Sequence, residues 1–338
     1  MLKFCDRVLE KFPRVSLAHL PTPLEHLPNL SKLLGGPQIW VKRDDCTGLA
    51  SGGNKTRKLE FSMAAALAEG ADTIVTVGAV QSNHVRQTAA AACKLGLACE
   101  VLLERRVREP SEPYANSGNI LLDRIFGAHL REYPADTDLV AAMDEVATEI
   151  RAAGGRPYLI PVGASNVIGA LGYVSCASEL LEQAHASGFR IDHLVTATGS
   201  AGTQAGLIVG LRALQSATPL LGIGVSSPQL AQEEKVYALA MATAEYIGRP
   251  GIVARKDIIA NCNYVGSGYG VPTEAMNEAV LLLARSEGLL LDPVYSGKAL
   301  AGLIDLVRKG EFDHASNIVF LHTGGSAALF AYVDQLRT

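Results

Sequence analysis

The chain has 338 residues, of which 48% are hydrophobic and 19% charged, with a formal net charge of −4 at pH 7. That apolar content excludes a disordered chain, and the acidic balance without a basic stripe excludes an electrostatic nucleic-acid binder. No run of about 18 uncharged apolar residues occurs, so no membrane-spanning helix and no membrane partner is expected.

Short apolar runs alternate with longer helical patterns. Asp72–Gly78 reads as a buried strand, His84–Gly96 as a helix and Leu97–Leu103 as a second strand. Gly118–Phe126 and Asp138–Ala153 read as helices and Arg156–Pro161 as a strand. His193–Thr198, Leu220–Val225 and Asn317–His322 are further strands with helices between them. Near-continuous apolar strands spaced by helices predict an α/β protein with parallel sheets covered on both faces. Turn residues cluster at Arg43–Asn54 and Pro161–Asn166. The stretch between has its own β-α-β pattern. It reads as a smaller inserted domain, 51–164, with 1–50 and 165–338 forming the larger one.

Met1–Arg7 shows no apolar stretch followed by a cleavage site, so no secretory leader is expected. Six cysteines (Cys5, Cys46, Cys93, Cys99, Cys176 and Cys262) are scattered without a C-x-x-C pair. Neither a disulfide framework nor a metal site is expected, and a cytoplasmic setting fits. Each cysteine reads as a small buried hydrophobe. The run Glu104-Arg105-Arg106-Val107-Arg108-Glu109 reads as a solvated loop.

Glycine accounts for 33 positions, roughly a tenth of the chain, against about 7% in average usage. Several glycines fall where a strand gives way to a helix. In Thr196–Gly206, Gly199, Ser200, Ala201, Gly202 and Thr203 form a turn of small residues before an apolar helix. Small residues let the backbone approach a ligand, and a helix start presents unpaired N–H groups, which suits a phosphate. Tight strand–helix packing would demand the same glycines. The spacing is neither the dinucleotide fingerprint nor a Walker loop. Val77–His84 is a second junction, where Ser82 and Asn83 could cap a helix or grip a carboxylate. Phe320–Ala328 is a third, and Tyr264–Pro272 is a glycine-rich loop carrying Tyr269.

Ser51–Phe61 places Lys55 at a turn that opens a helix. A lysine there opposes the helix dipole, and Arg57 and Lys58 add like charge, which favours the neutral amine that a Schiff base needs. Lys58 and Lys298 read as solvated surface residues.

With these residues in view, the chain resembles the fold-type II pyridoxal-phosphate enzymes. The resembling group is that of 1-aminocyclopropane-1-carboxylate deaminase, D-cysteine desulfhydrase and L-cysteate sulfo-lyase. The motifs that carry it are Gly52–Lys58, Gln81–His84, Gly202–Gly206, Gly268–Gly270, Leu291–Tyr295 and His322–Gly325. The resemblance implies two parallel-sheet three-layer domains like those of the tryptophan synthase β chain, pyridoxal 5'-phosphate as cofactor, a small amino acid as substrate, and a homodimer. It further implies that Lys55 carries the cofactor with Asn54 beside it, that Gly199, Ser200, Ala201, Gly202 and Thr203 hold its phosphate, and that Thr323 lies near its ring. Ser82, Asn83 and His84 would bind the substrate carboxylate, and Tyr269 and Tyr295 would flank the substrate and relay protons.

One position departs from the deaminase. Its Glu at the pyridine nitrogen is here Ser296. A carboxylate would keep that nitrogen protonated and the ring a strong electron sink, and a hydroxyl does so far less. Ser296 therefore favours β-elimination over opening of a cyclopropane. Whole-chain likeness, including Cys46–Ala50, Asn263–Gly266 and Gly325–Phe330, points first to elimination of sulfite from L-cysteate. Elimination of sulfide from D- or L-cysteine is the alternative. Cysteine synthesis by β-replacement and a non-catalytic ligand-binding role are the rival readings.

Overall fold

The computed structural model describes residues 8–107 and 110–336. Cys5 and the Arg108-Glu109 end of the basic run lie outside the described residues. Ten strands are present among those described: β1 (Leu24–His26), β2 (Gln38–Arg43), β3 (Thr73–Ala79), β4 (Ala98–Glu104), β5 (His129–Tyr133), β6 (Pro157–Ile160), β7 (His193–Thr198), β8 (Leu220–Gly224), β9 (Ile259–Asn261) and β10 (Asn317–His322). They form two sheets. One runs β5-β4-β3-β6, parallel throughout, and the other runs β1-β2-β10-β7-β8-β9, parallel apart from the β1–β2 pair.

The strand sequences explain why both sheets are sandwiched. In β3 and β4, Ile74, Val101 and Leu103 face one core, and Val75, Val77 and Leu102 face another. In β10, Val319 and Leu321 point to one side, Ile318 and Phe320 to the other. A strand apolar on both faces needs a cover on each. For the smaller sheet, helices Lys55–Ala68, Asn83–Lys94 and Gly118–Ile125 supply one cover and Leu139–Ala152 the other. For the larger sheet, Val167–Ala186, Gly202–Ala213 and Gln229–Tyr246 cover one face; Pro28–Leu34, Glu274–Glu287 and Ser296–Arg308 cover the opposite one. Each sheet thus sits in three layers.

β2, β5 and β9 carry no clear sequence signal. β2 ends on Lys42-Arg43, and Lys42 is buried only because Thr22 O, Glu179 and Gln183 surround its ammonium. β5 is an edge strand whose charges, including Arg131 and Glu132, suit that position.

The smaller sheet's strands all lie within 73–160, and the larger sheet's lie before 44 and after 192. The Lys55–Ala68 helix touches both cores, with Leu59 and Met63 in one and Phe61 in the other. It crosses Val167–Ala186 at Gly172, where a Cβ would lie 2.3 Å from Arg57 O. Only glycine permits that approach.

The cysteines correct one expectation. Cys99 and Cys176 are buried, but Cys46 and Cys93 are exposed and Cys262 is half-buried. Among the described residues no helix is long and apolar enough to cross a membrane.

Candidate active site

A cavity of about 410 Å³ opens at the carboxyl ends of β3, β7, β8 and β10. Its volume suits a small-ligand site, and its place is where parallel α/β sheets collect ligands. Asn54, Lys55, Ser82, Asn83, His84, Gly199, Ser200, Ala201, Thr203, Tyr269, Tyr295 and Thr323 line it, so most of the expected residues meet. Gly202 and Ser296 stand behind its wall.

The lysine loop is built by a tight turn. Gly52 has φ +71°, and a Cβ there would fall 1.8 Å from Asp45 O. Gly53 N donates to Thr47 Oγ1 (2.7 Å), which donates back to Gly53 O (2.9 Å). Asn54 then ties the loop to two others. Its backbone N–H donates to Thr323 O (3.0 Å) and its Nδ2 to Thr203 Oγ1 (3.0 Å). Lys55 Nζ donates to Asn54 Oδ1 at 3.0 Å and meets no carboxylate. Burial lowers its pKa to about 8, with Asp292 opposing and Arg86 adding to the shift. The amine is therefore depressed mainly by desolvation, and the nearby like charge is Arg86 rather than Arg57, which faces away.

Ser82 caps the Asn83–Lys94 helix, its Oγ accepting from Val85 N at 3.2 Å. The first N–H groups of this helix, on Asn83 and His84, have no intrahelical acceptor. The Asn83 side chain is already engaged. Its Oδ1 accepts from Arg86 Nη1 (3.0 Å) and Asn119 Nδ2 (2.9 Å), and its Nδ2 points to Asp292 Oδ2 (3.4 Å). Both ring nitrogens of His84 are likewise engaged, with Thr76 Oγ1 (2.8 Å) and Thr88 Oγ1 (3.4 Å). Burial, with Lys55 and Lys58 adding, holds this imidazole neutral. What this corner offers an anion is backbone N–H groups and the Ser82 hydroxyl proton.

The Gly199–Thr203 turn is strained at Ala201, a non-glycine residue with φ +75°. Ser165 Oγ donates to Ser200 Oγ (2.8 Å) and accepts from Gly202 N (3.2 Å). Behind this turn sits Lys58, fully buried and donating to Gly163 O (3.1 Å) and Ser165 Oγ (3.2 Å). The surface reading of Lys58 is thus overturned. Burial, reinforced by Lys55, pushes its pKa well below the ordinary value.

Opposite, Tyr269 Oη and Tyr295 Oη are 2.7 Å apart, and Lys55 Nζ lies 5.8 Å from the centre of the Tyr295 ring. Burial raises both phenols, Tyr295 to about 12, so both are protonated near neutral pH. Lys298 is also buried rather than solvated. Its Nζ donates to Val265 O (2.6 Å) and Gly268 O (3.0 Å), which pins the loop carrying Tyr269. Ser296 Oγ donates to Asp292 Oδ1 at 2.6 Å and accepts from Asp292 N at 2.8 Å. Asp292, which the sequence reading left unassigned, gathers the N–H groups of Val294, Tyr295 and Ser296. Among the described residues, no Asp or Glu lines the cavity.

These residues fit a phosphate-bearing aldehyde cofactor. A lysine with a lowered pKa faces a turn of small residues with the Lys58 amine behind it, and among the described residues no carboxylate lines the cavity.

Comparison with known proteins agrees. The family described as "Pyridoxal-phosphate dependent enzyme" matches residues 15–324. A D-cysteine desulfhydrase of Klebsiella pneumoniae is 52% identical over 328 residues, 97% of this chain and 98% of that protein. A D-cysteine desulfhydrase of Salmonella typhi is 51% identical, over 96% of this chain and 97% of that one. Among solved structures, an "ACC deaminase homologue" superposes with a TM-score of 0.89 at 40% identity, covering 98% of both chains. A threonine deaminase shares the fold with a TM-score of 0.63 at 21% identity, over 96% of both chains. Site geometry and sequence kinship converge: the chain belongs to the pyridoxal-phosphate-dependent enzymes.

Proposed function

We propose that the enzyme is a carbon–sulfur lyase that eliminates sulfide from D-cysteine, giving pyruvate and ammonia. The observation that carries this reading is the kinship to D-cysteine desulfhydrases at 51–52% identity over nearly the whole chain. It supports cysteine over the cysteate that whole-chain likeness put first. Ser296 in place of the deaminase's Glu, with no carboxylate lining the cavity among the described residues, supports β-elimination over cyclopropane opening.

When bound, pyridoxal phosphate supplies the electron sink that acidifies the substrate's Cα–H. Lys55 Nζ holds the cofactor, and the Gly199–Thr203 turn and Lys58 face its phosphate. Ser82 Oγ and the N–H groups of Asn83 and His84 receive the substrate's α-carboxylate. The Cα proton goes to Lys55 Nζ, whose lowered pKa suits it as the base. Tyr269 and Tyr295 share one hydrogen bond, so one hydroxyl proton remains to meet the departing sulfur. The Cβ–S pair leaves with sulfur, and water completes the release of pyruvate and ammonia.

A paired assay tests the reading. D-cysteine should release sulfide and pyruvate in equal amounts. Absence of sulfide from D-cysteine would overturn it.

A further inference from the structure

Arg106 belongs to the short basic run that reads as a solvated loop, yet its side chain lines the cavity. It lies just beyond β4, whose last residue, Glu104, pairs with Ala79 at the end of β3. That edge leads directly into Ser82 and Asn83. The guanidinium carbon stands 5.0 Å from the centre of the Tyr269 ring, a cation–π contact. Its Nε donates to Glu104 Oε2 at 2.5 Å, and Glu104 Oε1 is itself held by Asp136 N at 3.0 Å. These contacts fix the guanidinium plane. Nη1 and Nη2 make no hydrogen bond among the described residues, and the side chain is 33% exposed.

The cations of the lining are Lys55, Arg106 and Lys235. Lys55 is taken by the cofactor. Lys235 lies with Ser226 and Ser227 beyond β8, and neighbouring Val225 touches the phosphate turn, 3.1 Å from where a Gly199 Cβ would stand. Arg106 is the cation on the tyrosine side. The cofactor phosphate and the substrate α-carboxylate already have places at the Gly199–Thr203 turn and the Asn83 helix start. A thiol, with a pKa of about 8.5, is mostly neutral at pH 7 and needs no cation.

We infer that Arg106 is the specificity-determining residue for an anionic substituent on the substrate's β-carbon, giving this site a place for a sulfonate as well as a thiol. The inference rests on the carbon–sulfur lyase reading. The free Nη edge presents two parallel N–H donors, the fork that binds tetrahedral oxyanions. The elimination balances without an added oxidant. The Cα–H pair becomes the Cα=Cβ bond, the Cβ–S bond breaks, and its electrons leave with sulfur as sulfite. The sulfur group goes from one negative charge to two as it departs. Arg106 therefore stabilises the leaving group more than the bound substrate.

The test uses wild-type holoenzyme, Arg106→Gln and Arg106→Lys. Sulfite from cysteate and sulfide from cysteine are measured for each hand of substrate, and cofactor absorbance is titrated with cysteate and with alanine. Arg106→Gln should lower the ratio of kcat/KM for cysteate to that for cysteine roughly 10- to 100-fold. KM for cysteate should rise, and Arg106→Lys should recover part of the loss. An unchanged ratio would overturn the inference, as would a wild type that consumes cysteine but neither binds nor consumes cysteate. If the wild type releases neither sulfide nor sulfite, the lyase reading fails and the titration decides alone. Cysteate-selective binding lost in Arg106→Gln then supports the role, and equal binding in both proteins refutes it.

Discussion

Lys55, Arg57 and Lys58 lie within four positions of one helix. Arg57 and Lys58 are fully buried and Lys55 is half-buried at the cavity, and their surroundings are opposite. Arg57 bonds both oxygens of Asp44 at 2.9 Å and both oxygens of Glu179 at 2.8 and 2.9 Å, with Thr22 Oγ1 as a further acceptor. Burial alone would lower its pKa, but these carboxylates hold it well above the ordinary value. Lys55 and Lys58 meet only neutral oxygens, from Asn54, Gly163 and Ser165. A buried cation without a counter-charge costs stability that a paired one recovers. One side of the helix is thus a structural anchor, and the other is a site whose positive charge awaits anions from cofactor and substrate.

Three variants or conditions break or sharpen that contrast. Lys55→Ala should lower turnover by about a thousandfold or more and remove the yellow colour of the holoenzyme, while unfolding by urea should show no loss of apoprotein stability. Persistence of colour and turnover would remove Lys55 from the site. Arg57→Met leaves Asp44 and Glu179 buried without their partner and should destabilise the protein by about 3–5 kcal/mol, read from the urea midpoint. A cost below about 1 kcal/mol, the scale of an exposed pair, would erase the distinction. The smallest effect is with pH. Lys55 carries its proton below about 8, so apoprotein should take up pyridoxal phosphate faster as pH rises, about tenfold per unit, levelling near that value. A rate that goes on rising tenfold per unit well past pH 8 would show that the amine is not depressed by its surroundings.

The repeating strand–helix pattern was legible because both faces of each parallel strand are covered, so runs such as Val101–Leu103 in β4 and Ile318–Leu321 in β10 are apolar throughout. β2 and β5 were not, since Lys42 is buried by distant partners and β5 needs edge charges. Lys55, Asn54, Ser82 and the Gly199–Thr203 turn stood out at strand-to-helix junctions or helix-opening turns, where a cap or a turn leaves a local mark. Lys58, Lys298 and Arg106 leave no such mark. A lysine is buried or solvated according to which carbonyl oxygens lie near it, and those belong to Gly163, Val265 and Gly268, far along the chain.

By itself the sequence determined the α/β class and singled out Lys55 and the small-residue turns as a candidate cofactor site. Periodicity, turn chemistry and helix capping are local properties. Only the tertiary structure decided which charges are paired. It buried Arg57 among carboxylates, left Lys55 with a depressed pKa, sealed Lys58 behind the phosphate turn and turned Arg106 into the cavity. Desolvation and Coulomb interaction depend on what surrounds a group in space, and neighbours in sequence do not fix that.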